Sequence, residues 1–117
     1  PVDHTEAILY KEFLAKQILV GKVANIEEAI QNINKYSGGH TAVIITENGD
    51  QADKFMNEID AASVIHNASS RFTDGGQFGL GAELAISTDK LHHRGPLGLD
   101  HLVTNKWYVY GDGQIRK

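Results

Sequence analysis

Cysteine is missing from all 117 residues. That excludes a disulfide framework, a thiolate metal site and a cysteine nucleophile within this chain. No stretch approaches the roughly 20 apolar residues of a membrane-spanning helix, and no secretory-signal pattern opens the sequence. Positive charge is sparse: 11 Lys and Arg stand against 15 Asp and Glu, for a net charge of −4. General affinity for nucleic acid or for an anionic membrane is not expected. Neither a Walker phosphate loop nor a Ser-His-Asp order is present. A cytoplasmic location fits these absences. The sequence opens on Pro1 with no initiator Met, and the expectation is a piece cut from something longer.

What is there is one domain or part of one, with 41% apolar residues, enough for a modest core. Residues 17–23 (QILVGKV) are β-branched and apolar and read as a strand. Asn25 with Glu28 forms a capping-box pattern, and Ile26, Ala29, Ile30 and Ile33 make one helical stripe. Ser37-Gly38-Gly39 ends that helix. Residues 41–46 (TAVIIT) read as a strand covered on both faces, and Asn48-Gly49-Asp50 as a turn. Ala52, Phe55, Met56 and Ile59 form a second helical stripe, followed by a strand at 62–66 (ASVIH). The order β-α-β-α-β argues for parallel strands joined by helical crossovers. Beyond Glu83, residues 84–91 suggest a short helix, Arg94-Gly95-Pro96 a break, and 102–110 (LVTNKWYVY) a strand. So apolar a strand near a terminus needs pairing with another chain or with other parts of a longer protein.

The run from Asn67 to Glu83 (NASSRFTDGGQFGLGAE) leaves the carboxyl end of the third expected strand, where ligands of such sheets bind. Four glycines permit close backbone approach, and amide, hydroxyl and guanidinium groups around them suit a carboxylate or phosphate. Arg71 either clamps a substrate carboxylate or bonds loop carbonyls. Asn67 either orients substrate or holds the loop through Asx-type bonds. Gly76-x-x-Gly79-x-Gly81 has the wrong spacing for a dinucleotide fingerprint. His92, His93 and His101 lack a recognised metal-ligand spacing and read as surface residues. His40 is either structural or part of a cleft wall. Glu12-Phe13 alone is an exposed acid beside a core aromatic.

The NAS-x-RFTDG-x-x-FGLGAE run, the following ISTDKLHHRGPLGL and the upstream VANIEEAIQNINKYSGGHTAVI resemble the C-terminal part of the γ-glutamyl phosphate reductases, within the aldehyde dehydrogenase superfamily. The likeness covers about residues 10–113. It departs from the family's pattern at Asn32 (usually His), Gly38 (usually Ser or Thr) and Ala42 (usually an acid). The resemblance implies an α/β fold: a three-layer α/β/α arrangement with a mainly parallel sheet, half of an aldehyde dehydrogenase catalytic domain. Residues 1–82 would be the C-terminal part of that domain with a substrate-anchoring loop at 67–82. Residues 83–117 would be a return segment and a C-terminal oligomerisation strand.

The activity implied is NADPH-dependent reduction of γ-glutamyl phosphate to glutamate 5-semialdehyde in proline synthesis. It proceeds through a cysteine thiolate upstream of the matched segment, so this chain alone should be inactive. Asn67, Ser69, Ser70, Arg71, Thr73 and Phe78 are implied to bind substrate, and Glu12 and Phe13 to contact the nicotinamide ribose of NADPH. A homo-oligomer through the C-terminal strand is implied as well, with neither nucleic acid nor membrane as partner. Two other parents are compatible: the reductase part of a bifunctional pyrroline-carboxylate synthase, and a non-catalytic binding or subunit-interaction module derived from this fold.

Overall fold

The structure, a computed structural model, describes residues 5–87, 90 and 92–116. After a 3-10 turn at Glu6–Tyr10 the chain runs without regular structure to Asn25. Asn25 then caps α1 (Ile26–Tyr36), its side chain accepting the Glu28 N–H at 2.9 Å. Glu28 reaches back to the Ala24 N–H at 2.7 Å, one residue earlier than the cap itself. Ile30 is buried, with Ile26 and Ile33 packed beside it, as the stripe predicts.

Helix α1 ends at Ser37, and Gly39 turns the chain into β1 (Thr41–Ile44) with a φ of +68°. Asn48 caps α2 (Gly49–Glu58) by accepting the Gln51 N–H at 3.0 Å. Asn48-Gly49-Asp50 is therefore a helix start and not the expected turn. Asn at the cap and Asp in the first turn suit helix termini as well as turns. Strand β2 (Ser63–His66) pairs with β1 in parallel, from Thr41↔Ser63 to Ile44↔His66, with α2 as the crossover. Ile30, Ala42, Ile44, Phe55 and Ile59 make the core between helices and sheet. Met56, expected in the stripe, is 41% exposed.

Further expectations are corrected. Residues 17–23 form no strand, because strand propensity needs a partner and none is at hand. Ile18 and Val20 are largely exposed, and Leu19, Val20 and Val23 line an open hollow against α1. Among the described residues the parallel sheet therefore has two strands, and they form no three-layer arrangement. In place of a helix at 84–91 and a break at 94–96, β3 (Leu84–Ile86) pairs antiparallel with β4 (Gly95–Leu97). Pro96 lacks an N–H but is tolerated at such an edge. Residues 1–4 of the first expected unit, residues 88, 89 and 91 of the expected helix, and residue 117 of the second unit lie outside the described residues. The strand expected at 102–110 is not formed here: residues 103–110 have no regular structure and no strand partner among the described residues, with Trp107, Val109 and Tyr110 at least 86% exposed.

Arg94 fastens the hairpin to the core. It donates to the Asp60 carboxylate at 2.6 Å, the Asp60 carbonyl at 2.9 Å and the Gly39 carbonyl at 3.0 Å. The positive φ favours glycine at 39, and a Cβ there would also displace the Arg94 guanidinium from its bonds. The radius of gyration is 20.1 Å, against roughly 13 Å for a compact domain of this length. Among the described residues no helix is long and apolar enough to cross a membrane.

Candidate functional site: the loop after β2

Asn67 launches the loop in a left-handed conformation, φ +53°, which Asn adopts more readily than most residues. Its N–H donates to the Ile44 carbonyl, and its side-chain amide bonds the Thr46 main chain. The amide is thereby engaged in holding the loop. Ser69 then caps a 3-10 turn at Ser70–Phe72, its hydroxyl accepting the Arg71 N–H at 3.2 Å. Asp74 accepts the Gln77 N–H at 3.0 Å, and Gly75 donates to the Glu83 carboxylate. A side chain at Gly75 would collide with the Ala82 carbonyl and Glu83, so the arch closes only around glycine.

The arch encloses an open hollow of about 400 Å³ lined by Ser69, Arg71, Phe72, Asp74 and Gln77. The Arg71 guanidinium makes no hydrogen bond or ion pair among the described residues. The alternative role, bonding loop carbonyls, is not the one it has here. A planar cation beside a hydroxyl and an amide is chemically suited to a carboxylate or phosphate.

Of the residues expected to bind substrate, Ser69 and Arg71 share this hollow. Thr73 is half-buried and turned to β1, its Oγ1 accepting from Thr41 Oγ1 at 3.2 Å. Ser70 and Phe78 are exposed and off the hollow's wall. Phe72, Asp74 and Gln77 were not singled out from sequence. The Asp74-x-x-Gln77 spacing was the available signal, since Asp accepts from a backbone N–H three residues on.

Glu12 lines a separate hollow of about 530 Å³ with Tyr10, Tyr36, Ser37 and His40. Phe13 is half-buried, with Lys11 Nζ 5.4 Å from its ring centre. The two hollows have no lining residue in common. Near the second, Lys35 donates to Glu6 at 2.5 Å and Tyr36 donates to Glu6 at 2.8 Å. These bonds hold the Glu6 carboxyl below its usual range and raise Lys35. The Gly76-x-x-Gly79-x-Gly81 spacing opens no helix, so it lacks the helix N-terminus of a dinucleotide site. His93 meets His101 edge-on at 5.0 Å, and His101 Nδ1 accepts the Gly98 N–H at 3.0 Å.

Comparison with known proteins agrees with this architecture. The aldehyde dehydrogenase family model matches residues 1–83. The chain is 53% identical over 113 residues to a γ-glutamyl phosphate reductase of Nitratiruptor, covering 97% of this chain and 27% of that relative. It is 55% identical over 116 residues to the γ-glutamyl phosphate reductase of Clostridium acetobutylicum, covering 99% and 28%. The crystal structure of γ-glutamyl phosphate reductase from Thermotoga maritima superposes with a TM-score of 0.86 at 52% identity, over 99% of this chain and 28% of that one. The chain thus spans little more than a quarter of the length of the relatives it matches. Because the family model spans well over half of the 117 residues and solved architecture agrees, the chain belongs to the aldehyde dehydrogenase family.

Proposed function

We propose that this chain supplies the substrate-anchoring part of an NADPH-dependent reductase acting on γ-glutamyl phosphate in proline biosynthesis. One observation carries the reading: the Arg71 guanidinium stands without a partner on the wall of a hollow built by loop 67–82. The relatives named γ-glutamyl phosphate reductase support the choice of substrate. Arg71, with the Ser69 hydroxyl, takes the α-carboxylate of the glutamyl group. Thr73 and Asn67 hold the loop in place, and Ser70 and Phe78, exposed outside the hollow, are assigned to the same substrate by the loop motif alone. Fixing the carboxylate end orients the reactive acyl phosphate at the other.

Glu12 and Phe13 are assigned to the cofactor end. The Glu12 carboxylate can accept from ribose hydroxyls, and the hollow it lines is roomy and partly polar. NADPH supplies the hydride. Expelling phosphate from the acyl group needs a thiolate, which these residues do not contain, so in this reading the chain is inactive by itself. The enzyme is cytoplasmic and a homo-oligomer, with the apolar segment 102–110 as the oligomerisation strand.

The test is the reaction run backwards, phosphate-dependent reduction of NADP⁺ by glutamate semialdehyde. It is measured on this chain and on the full-length product of its gene. An active parent beside an inert chain is the expected result. Turnover by the cysteine-free chain would overturn the thiolate step, and an inert parent would leave loop 67–82 as a non-catalytic binding device.

A further inference from the structure

Thr73 does not stand alone. Its Oγ1 accepts a hydrogen bond from Thr41 Oγ1 at 3.2 Å, and Thr41 Oγ1 in turn lies 2.7 Å from His40 Nδ1. A hydroxyl has one hydrogen to give. Thr41 Oγ1 can give it to one neighbour and accept from the other, and so it bridges His40 and Thr73. The three groups form one hydrogen-bonded chain, and each bond polarises the next.

The placement of this relay gives it consequence. Thr41 opens β1, His40 precedes it, and all three residues are half-buried. Beyond Asn67, the Thr41–Thr73 bond is the one hydrogen bond among the described residues between the parallel sheet and loop 67–82. The His40 ring lines the hollow that contains Glu12, whereas Thr73 belongs to the loop that presents Arg71. The relay therefore links a wall residue of the Glu12 hollow to the loop that carries Arg71.

We propose that His40 and Thr41 are positioning residues, a hydrogen-bond relay that fixes Thr73, and with it the anchor loop that presents Arg71, and ties that loop to the Glu12 hollow. This rests on the reading of loop 67–82 as the substrate anchor. Neither His40 nor Thr41 touches substrate; both act through Thr73.

The test uses the full-length gene product. Thr41→Val keeps the shape and the strand preference and removes only the hydroxyl. Its expected effect is a roughly three- to tenfold rise in KM for glutamate semialdehyde, the loss of about one hydrogen bond. KM for NADP⁺ and the melting temperature stay near wild type, and amide exchange across 67–82 quickens. His40→Ala behaves like Thr41→Val. His40→Asn, which can place an amide N–H near the position of Nδ1, restores both KM and exchange. Wild-type KM and wild-type loop exchange in Thr41→Val would overturn the relay, as would a lowered melting temperature with KM unmoved. Inactivity of the unmutated parent would instead defeat the functional reading. Loop exchange in the variants then decides the relay by itself: quickened exchange restored by His40→Asn supports it, and unchanged exchange overturns it.

Discussion

The Asn67 side chain pairs with both main-chain polar groups of Thr46, accepting its N–H and donating to its carbonyl, each at 2.9 Å. A side chain here continues the pairing of β1 with β2 past the point where the backbones part. Asn67→Ala loses both bonds and places an unsuited residue at φ +53°. It should destabilise the chain by about 1–3 kcal/mol. Asn67→Gly keeps the backbone conformation and loses only the bonds, so its loss should be smaller. Urea unfolding of the two variants checks the difference, and equal losses would refute the conformational part.

Arg71 makes the clearest functional prediction. A charge-assisted contact is typically worth about 1.5–3 kcal/mol. Arg71→Ala in the full-length protein should therefore weaken substrate use by roughly ten- to a hundredfold, read in kcat/KM. Arg71→Lys should recover only part, because an ammonium cannot reproduce the planar fork. Unchanged constants in the alanine variant would remove Arg71 from the anchor.

Asp60 gathers Lys90 and Arg94 at the seam between hairpin and core. Hydrogen bonds from Lys90, then from Arg94, hold its carboxyl below the usual 3.8. Its folded pKa is depressed, so the unfolded chain binds more protons through this window. The contribution is complete above the ordinary value and is lost as pH falls through the folded one. Unfolding midpoints should therefore drop below about pH 4, and Asp60→Asn should flatten that part of the profile. An identical acid limb in the variant would exclude Asp60 as its source.

Legibility from sequence followed locality. The α1 cap at Asn25, the stripes through Ile30 and Phe55, and the strands around Val43 and Val64 depend on neighbours within a few residues, and they were readable. Residues 17–23 have equal strand propensity yet form none, since pairing is decided by partners and not by propensity. The β3–β4 hairpin was masked by its histidines and by Pro96, and Arg94 by the 34 residues separating it from Asp60. At the site, the motif located the loop. Whether Arg71 was engaged, and that Thr73 turned to Thr41, depended on three-dimensional packing that no spacing encodes.

The segment 102–110 supplies the last prediction. Trp107 and Val109 would share one face of a strand and Tyr108 and Tyr110 the other, and all four are exposed. An apolar segment of strand-forming residues without a partner of its own is a template for pairing with another chain. In the proposed oligomer it joins a partner's sheet, which satisfies its main chain and removes both faces from water. Val109→Asp should then place a charge in that seam and shift the full-length protein toward monomer in sedimentation, while Asp112→Ala, beyond the apolar stretch, should leave the assembly intact. If Val109→Asp sediments as the wild-type protein does, the segment is not the interface, and the exposed Trp107 must be covered by another part of the same protein.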